Sequence, residues 1–342
     1  MVLFQFSWSI LPKMKELISI IMPFKNEEVF LEQTLKSIIN QSYQNWELIA
    51  VDDFSTDDSF NVLFSYAQTD SRIKVLKNTT PGIIEALKTG KKLAKGKYIT
   101  RMDADDLMNE NKLENLQKAL LSTTKNSVAI GKVNYFKSNG EEIGNGYFKY
   151  QNWINKLVEN KNPFSEIYKE CPIPSPSWMM RTDDFDKIGG FNSCTYPEDY
   201  DLAFRMYKAK LNIVSTTEVV HQWRDYETRT SRTHENYKDN RFLELKIDYF
   251  LSLDYNKDKT LVLQGAGKKG KFIAKKLLEK NVKFIWTCGV PSKIGHNIYG
   301  VILKDSKEEQ AKAQIIVAIA NIEEQDRIKA EENKNNEYFY FC

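Results

Sequence analysis

Short apolar runs alternate with amphipathic stretches along roughly the first 120 residues of the chain. Each run has the length of one strand and is apolar at almost every position, which is typical of strands buried on both faces. The predicted strands are 17–23, 46–51, 73–76 and 98–102, and the predicted helices are 27–41, 59–68 and 81–94. The alternation predicts a doubly wound α/β sheet, in which ligands bind beyond the carboxyl ends of the strands.

The pattern is less regular from residue 127 to about 241, and a second α/β pattern begins at 260. The irregular region predicts strands at 128–131 and 178–181, a helix at 201–210, a loop or edge segment at 219–233 and a linking helix at 244–253. Later strands are predicted at 260–264, 282–286 and 315–320. We therefore expect an N-terminal extension (1–16), a larger α/β domain (17–255) and a smaller Rossmann-like α/β domain (256–342).

Composition is ordinary for a globular protein, with 42% hydrophobic and 28% charged residues among 342. This excludes a globally disordered or fibrous chain. The 49 Lys and Arg against 46 Asp and Glu give a net charge of +3, which does not argue for nucleic acid but permits weak attraction to anionic lipid. The four cysteines are scattered and no C-x-x-C pair occurs, so neither a disulfide framework nor a zinc site is expected.

The N-terminal stretch is apolar and aromatic but lacks the basic region and the small-residue cleavage site of a signal peptide. Two interpretations of residues 1–13 stay open. They are either a poorly ordered extension ahead of a start at Met14, or a patch that contacts a membrane interface. No apolar run approaches the ~20 residues that a membrane span needs. We expect a cytoplasmic protein, with peripheral contact to the inner face of the membrane as an open alternative.

Acidic residues cluster directly after apolar runs. The clusters are Asp52 and Asp53, then Asp103, Asp105 and Asp106, then Glu198 and Asp199. Carboxylates repel one another, so bringing them into one cleft is unfavourable unless a cation is present. Their oxygens suit Mg²⁺ or Mn²⁺, which bridges to substrate phosphates, so D-x-D after a buried strand predicts a metal–diphosphate site. The alternative is that acidic residues are solvated helix N-caps, which we favour for Asp57 or Asp106 taken alone.

Four motifs in this order resemble the family 2 glycosyltransferases. They are I-I-M-P-F-K-N-E at 20–27, V-D-D-x-S-T-D at 51–57, R-M-D-A-D-D at 101–106, and P-E-D-Y-D-L at 197–202 with Arg205. A later stretch at 221–232 is similar to a bacterial branch whose members carry a C-terminal α/β unit containing G-A-G. The resemblance implies a GT-A fold, in which a mixed sheet joins a Rossmann-like nucleotide-binding half to an acceptor-binding half.

The resemblance also implies the reaction. A sugar would move with inversion from a nucleotide-diphosphate donor, expected to be a UDP-sugar, to a hydroxyl of a glycan, lipid-linked or glycoconjugate acceptor. Asp199 would be the general base that deprotonates this hydroxyl, with Glu198 beside it. No covalent intermediate on the enzyme is implied.

The donor would be held by residues of the first three motifs. The resemblance places Pro23, Lys25 and Glu27 along the nucleotide pocket. Asp53 would accept a hydrogen bond from the base, since an ionised carboxylate is only an acceptor. Asp103 would contact the donor ribose or sugar and, with Asp105, would bind Mn²⁺ or Mg²⁺.

Several positions depart from the family pattern. Phe54 stands where glycine is usual, and E-A-L-K at 85–88 replaces the A-R-N that the family often has. His221 takes a direct role in the site, makes a structural hydrogen bond, or is an exposed ring. Trp223 and Arg224 either form a wall of the acceptor or diphosphate site, or are a packed tryptophan and a surface arginine.

The segment from Gly265 to Gly270 reads G-x-G-x-x-G after a strand, so an NAD(P)-dependent oxidoreductase is a second hypothesis. The next predicted strand does not end in the acidic residue that would hold a ribose, which favours a tight turn with close helix–sheet packing. A non-catalytic sugar-nucleotide-binding protein is a third hypothesis. The lysines at 268–283 are interpreted as a solvated face or as a contact to anionic lipid, and no nucleic-acid motif accompanies them.

Overall fold

The structure, a computed structural model, describes residues 16–229, 241–308 and 312–342. Contacts divide the described chain into two compact units. The first comprises 16–134, 175–192 and 214–223, and the second comprises the rest. The predicted extension lies outside the described residues except for residue 16, and the predicted domain limits at 17–255 and 256–342 stay predictions.

Eight strands of the described chain form the sheet of the first unit. They are β1 (Ile18–Phe24), β2 (Trp46–Asp52), β3 (Ile73–Lys77), β4 (Tyr98–Arg101), β5 (Leu107–Met108), β6 (Ser127–Phe136), β7 (Trp178–Arg181) and β8 (Asn212–Arg224). Their order is β3-β2-β1-β4-β7-β6-β8-β5. The first four strands run parallel, whereas β7 is antiparallel to both β4 and β6, and β5 is antiparallel to β8.

Helices connect the parallel strands of this unit. They are α1 (Glu28–Ile39), α2 (Ser59–Thr69) and α3 (Ile83–Leu93); α4 (Lys112–Leu121) lies between β5 and β6, and the shorter α6 (Thr182–Lys187) follows β7. Every residue of β1 and β2 is buried, because both faces of the sheet are covered. The core combines apolar side chains of the strands with those of the helices, among them Ile20, Leu48, Leu35, Leu63 and Leu116.

The α/β alternation predicted for this unit is confirmed, with one correction. The segment at 219–233, predicted to be a loop or edge segment, contains the end of β8, and this strand begins at Asn212 and lies inside the sheet between β6 and β5. The sequence did not predict the first half of this strand, because it contains the polar run S-T-T-E at 215–218. Polar residues are tolerated there since the residues from Asn212 to Glu218 are half-buried or exposed. Residues 230–233 of the predicted segment lie outside the described residues.

The second unit contains a separate parallel sheet of order β13-β10-β9-β14-β15. Its strands are β9 (Thr260–Gln264), β10 (Ile285–Cys288), β13 (Lys304–Asp305), β14 (Ala313–Val317) and β15 (Glu337–Tyr340), and β11 (Asn297–Ile298) forms a hairpin with β12 (Val301–Ile302). Its helices are α5 (Asn145–Glu159), α7 (Glu198–Lys208), α8 (Arg241–Leu253), α9 (Lys268–Glu279) and α10 (Ile322–Ala330). The predicted smaller α/β sheet is therefore present.

One aromatic core joins α7 and α8 to this parallel sheet. The ring of Phe204 on α7 stacks on Tyr249 of α8, with centroids 4.3 Å apart. Tyr168 stacks on Phe341, just after β15, at 5.2 Å. Both Phe204 and Phe341 are fully buried. The residues around the candidate general base and the C-terminal strand therefore share one core.

None of the helices within the described ranges combines the length and the hydrophobicity that a membrane crossing requires.

Candidate active site

The strand order of the first sheet reverses beside β1, which has β2 on one side and β4 on the other. Ile21 of β1 pairs with Arg101 of β4, and the Met102 N–H donates to the Ile21 carbonyl at 3.0 Å. Both strands run in the same direction, so the segments 25–27 and 103–106 leave the sheet at one edge. In doubly wound sheets this reversal opens the crevice in which ligands bind.

Hydrogen bonds tie the segment after β1 to the loop after β2. The Asn26 N–H donates to Ser55 Oγ at 3.0 Å, and Asn26 Oδ1 accepts from the Thr56 N–H at 2.7 Å. The Glu27 N–H donates to Ser59 Oγ at 2.8 Å. Glu27 is thus held in place by its backbone, whereas the side chain of Lys25 is exposed. Pro23 is buried within β1.

Asp53 lies at the end of β2 and is only 8% exposed. Its carboxylate accepts hydrogen bonds from the Gly82 N–H at 2.8 Å and from Asn78 Nδ2 at 2.9 Å. Each carboxylate oxygen has two lone pairs, so Asp53 keeps acceptor capacity for a further N–H donor. Asn78 and Gly82 were not predicted, because they become neighbours of Asp53 only once β3 pairs with β2.

Phe54 follows with φ of +64° and is 47% exposed. This left-handed backbone explains why glycine is usual here, since glycine adopts it without steric cost. The departure at Phe54 therefore leaves the turn in place and adds an exposed ring beside Asp53.

Glu27 marks a concentration of negative charge at the reversal point. Its pKa is raised from 4.5 to about 8 by burial and by the charges of four aspartates, Asp105, Asp106, Asp57 and Asp103. The D-x-D pair and Glu27, predicted from separate motifs, are therefore brought together. We call Glu27, Asp103, Asp105 and Asp106 the acidic group.

Asp106 is fully buried, so its interpretation as a solvated helix cap is wrong. Its Oδ2 lies 2.9 Å from Nε2 of His221, which is also fully buried. His221 thus makes the structural hydrogen bond that was one of its predicted roles, and the alternative of an exposed ring is wrong. Asp57, by contrast, accepts the Ser59 N–H at 3.1 Å just before α2, although the residue at the N-cap position is Asp58.

Two cations face the acidic group. Arg101 Nε donates to Asp103 Oδ1 at 3.0 Å. Lys112 begins α4 and is fully buried, and its Nζ has no hydrogen-bond partner among the described residues. Burial lowers the pKa of Lys112 to about 7, while Asp103 and Asp106 act in the opposite direction. Lys112 was missed, although it lies on the same helical face as Leu113, Leu116 and Leu120.

The donor set of the acidic group fits a hard divalent cation, because it consists of carboxylate oxygens next to a concentrated negative charge. Within the described residues, no three or more His, Cys, Asp or Glu side chains are arranged to hold an ion by themselves. Mg²⁺ or Mn²⁺ bound by one or two carboxylates takes its remaining ligands from substrate phosphate and water.

Glu198 and Asp199 belong to the second unit and occupy the first turn of α7. The helix begins at 198 and not at 201 as predicted, since its first turn carries acidic residues that interact favourably with the helix N-terminus. Asp199 Oδ1 accepts the Tyr200 N–H at 2.7 Å. Burial, together with the nearby charge of Asp199, raises the pKa of the Cys171 thiol.

Arg224 is 1% exposed, so the alternative of a surface arginine is wrong. Its guanidinium lies 4.7 Å from the ring centroid of Phe136 and its Nη1 donates to Ser138 Oγ. Trp223 is partly buried. Their predicted contact with acceptor or diphosphate stays a prediction.

Gly265 and Gly270 of the second unit allow a tight turn and close packing. Gly265 has φ of +117°, and a Cβ on Gly270 would collide with the Gly265 carbonyl oxygen. The turn between β9 and α9 thus needs glycine at both positions, which agrees with the tight turn and close packing that we favoured.

The sequence profile described as Glycosyl transferase family 2 matches residues 19–189. The chain belongs to this family. The matched range contains both segments of the acidic group, so the predicted family is confirmed.

Three curated relatives illustrate the family. Glycosyltransferase GlyG of Streptococcus pneumoniae serotype 4 is 38% identical over 136 residues, 40% of this chain and 44% of that protein. The UDP-Glc:alpha-D-GlcNAc-diphosphoundecaprenol beta-1,3-glucosyltransferase WfgD of Escherichia coli is 38% identical over 148 residues, 42% of this chain and 56% of that protein. An uncharacterized glycosyltransferase of Haemophilus influenzae is 27% identical over 69% of this chain and 75% of that protein. The chain thus spans about half the length of GlyG and WfgD.

Solved structures share the fold. S. aureus TarS in complex with UDP-GlcNAc has a TM-score of 0.52 and 18% identity, covering 77% of this chain and 72% of that one. The mannosyltransferase PcManGT from Pyrobaculum calidifontis, in complex with GDP-Man and Mn²⁺, has the same score and identity, covering 78% and 70%. The predicted GT-A type α/β fold is confirmed, and no relative named here is an oxidoreductase.

Proposed function

We propose that the chain transfers a sugar, with inversion, from a UDP-sugar to a hydroxyl of a glycan, lipid-linked or glycoconjugate acceptor. The observation that carries the proposal is the acidic group at the strand-order reversal, where burial and the charges of the neighbouring aspartates raise the pKa of Glu27 to about 8. Family membership supports glycosyl transfer. The name of WfgD supports a UDP-linked donor and a lipid-linked acceptor.

We carry the donor-binding roles over from the resemblance to the family. Asp53 accepts the imide N–H of the uracil base in addition to its bonds from Gly82 and Asn78. Pro23, Lys25 and Glu27 line the nucleotide pocket, and Trp223 and Arg224 contact the diphosphate or the acceptor.

Asp103 and Asp105 are the proposed metal ligands, and Asp103 also contacts the ribose. When bound there, Mn²⁺ or Mg²⁺ would neutralise the diphosphate as it leaves. Arg101 holds the Asp103 carboxylate in place through the 3.0 Å bond. The buried bond between Asp106 and His221 anchors the end of the same loop.

Asp199 is the proposed general base. Its position in the first turn of α7 stabilises the carboxylate form, which is the form that accepts a proton from the acceptor hydroxyl. Glu198 stands beside it. The Phe204–Tyr249 stack packs the same helix against α8.

A thermal-shift screen of UDP and UDP-sugars, with and without Mn²⁺, tests the donor site. Ligand binding to the folded state raises the melting temperature, so we expect a shift that needs both UDP and Mn²⁺. The shift should vanish in Asp105→Asn and persist in Asp58→Asn, an exposed aspartate of the same unit. Equal shifts in Asp105→Asn and wild type would remove the metal role of Asp105.

Asp199→Asn separates binding from chemistry. The variant should keep the UDP·Mn²⁺ thermal shift and lose transfer from a UDP-sugar. Normal transfer by this variant means that another group is the base.

A further inference from the structure

The side chain of Lys112 is a buried cation with an unusual environment. It is 0% exposed, and its Nζ has no hydrogen-bond partner among the described residues. Lysine is almost never fully buried unless it is paired, because an uncompensated charge is costly to desolvate. A nearby negative charge is therefore needed to offset the cost of burying the charge of Lys112.

Two carboxylates of the acidic group supply that compensation at a distance. Asp103 and Asp106 favour the charged form of Lys112, against the effect of burial. Each carboxylate already has another partner, since Asp103 bonds Arg101 and Asp106 bonds His221. Lys112 therefore acts on them as a buried point charge and not through a hydrogen bond.

The acidic group needs such a charge when no metal is bound. Asp103, Asp105 and Asp106 lie close enough to Glu27 for their charges to raise its pKa. Like charges in a partly buried cleft raise one another's energy. A fixed cation lowers this energy, but it also repels any cation that enters the cleft.

We propose that Lys112 is a built-in counter-cation of the candidate metal site, which weakens the binding of a divalent metal that arrives alone. This inference rests on the proposed function. A metal that arrives with a diphosphate brings negative charge with it, so Lys112 opposes the pair far less. Lys112 thereby couples metal binding to nucleotide binding.

The expected effect follows from Coulomb's law. For a unit charge and a divalent ion separated by about 10 Å, at the effective dielectric constant of about 20 that describes protein sites and with screening by salt, removing the repulsion should tighten Mn²⁺ binding by about tenfold. A lysine that only fills space would leave metal affinity unchanged when an apolar side chain of similar length replaces it.

The test measures Mn²⁺ binding to the full chain by electron paramagnetic resonance of the free ion, at pH 6.5, without and with UDP. The variants are Lys112→Met and the control Lys118→Met, whose side chain lies on the same helix and is 64% exposed. Circular dichroism verifies folding. We expect Lys112→Met to bind Mn²⁺ alone about tenfold more tightly, and Lys118→Met to bind it like wild type.

The nucleotide arm completes the test. UDP should tighten Mn²⁺ binding to wild type at least about tenfold and should tighten it much less in Lys112→Met, because the effect of UDP on Mn²⁺ affinity equals the effect of Mn²⁺ on UDP affinity and both depend on Lys112.

Unchanged Mn²⁺ affinity in folded Lys112→Met overturns the inference and leaves the proposed function standing if wild type binds UDP with Mn²⁺. If wild type does not bind UDP with Mn²⁺, the proposed function fails, and the Mn²⁺-only comparison still decides the role of Lys112. If Lys112→Met does not fold, equal Mn²⁺ affinity of wild type with and without UDP overturns the inference.

Discussion

Replacing Glu27 by Gln in the metal-free protein should change how stability depends on pH. Glu27 has a pKa of about 8 in the folded chain, against 4.5 for an ordinary glutamate, because it is buried and faces four aspartates. Gln has nearly the same shape as a protonated Glu and carries no charge at any pH. The substitution thus removes the titration and leaves the packing almost unchanged.

The sign follows from proton binding. Between pH 4.5 and about pH 8 the folded state holds a proton on Glu27 that the unfolded state has lost. The free energy of unfolding therefore falls as pH rises through this interval, by at most about 1.4 kcal/mol per pH unit for one group. Multiplied by the difference between the two pKa values, this gives a ceiling of about 5 kcal/mol. Solvent screening of the partly exposed carboxyl reduces the expected value to about 2–3 kcal/mol.

Urea unfolding at a series of pH values, in the presence of EDTA, measures this effect. Glu27→Gln should match wild type near pH 5 and exceed it by about 2–3 kcal/mol near pH 9. Glu110→Gln, an exposed glutamate of the same unit, serves as the control and should follow wild type throughout. Parallel curves for Glu27→Gln and wild type would refute the charge concentration on which the candidate site depends.

Three further substitutions test separate features. Phe54→Gly should be more stable than Phe54→Ala by about 1 kcal/mol in thermal unfolding, because φ at 54 is +64°; equal stabilities would contradict the left-handed turn. Tyr249→Phe loses the 2.7 Å bond to Asp201 and should lower the free energy of unfolding by about 1–2 kcal/mol in urea, while an unchanged midpoint would mean that the bond is replaced by water. His221→Leu leaves the buried Asp106 carboxylate without this partner and should cost about 3 kcal/mol in the same assay, and a loss below about 0.5 kcal/mol would show that the pair is dispensable.

The parallel strands were predictable because burial on both faces leaves an almost continuous apolar run. The runs predicted at 46–51 and 73–76 each end one residue before the strands that form, β2 and β3. Half-buried β8 leaves no such run, so its first residues were missed. Strand β10 begins at Ile285 and not at 282 as predicted. The apolar residues begin at 282, but the side chains become fully buried only after Ile285.

The candidate site was predictable only where its residues follow strands directly. Asp53, Asp103 and Asp105 come straight after apolar runs, and strand order explains why such residues approach one another. Lys112 lies on a helix among apolar residues and His221 lies on β8, so their proximity to the acidic group depends on tertiary packing. A lysine on the buried stripe of an amphipathic helix is the one signal in the sequence that points to this arrangement.

The stacking of Tyr168 on Phe341 has a consequence for synthesis on the ribosome. Strands β1 to β4 pair among themselves and emerge early, so their sheet can form while translation continues. The core that supports α7 has to wait for residue 341, more than a hundred positions downstream of Phe204. A nascent chain can therefore form the parallel strands of the first unit well before the core around α7 closes, so the two units mature at different times during synthesis.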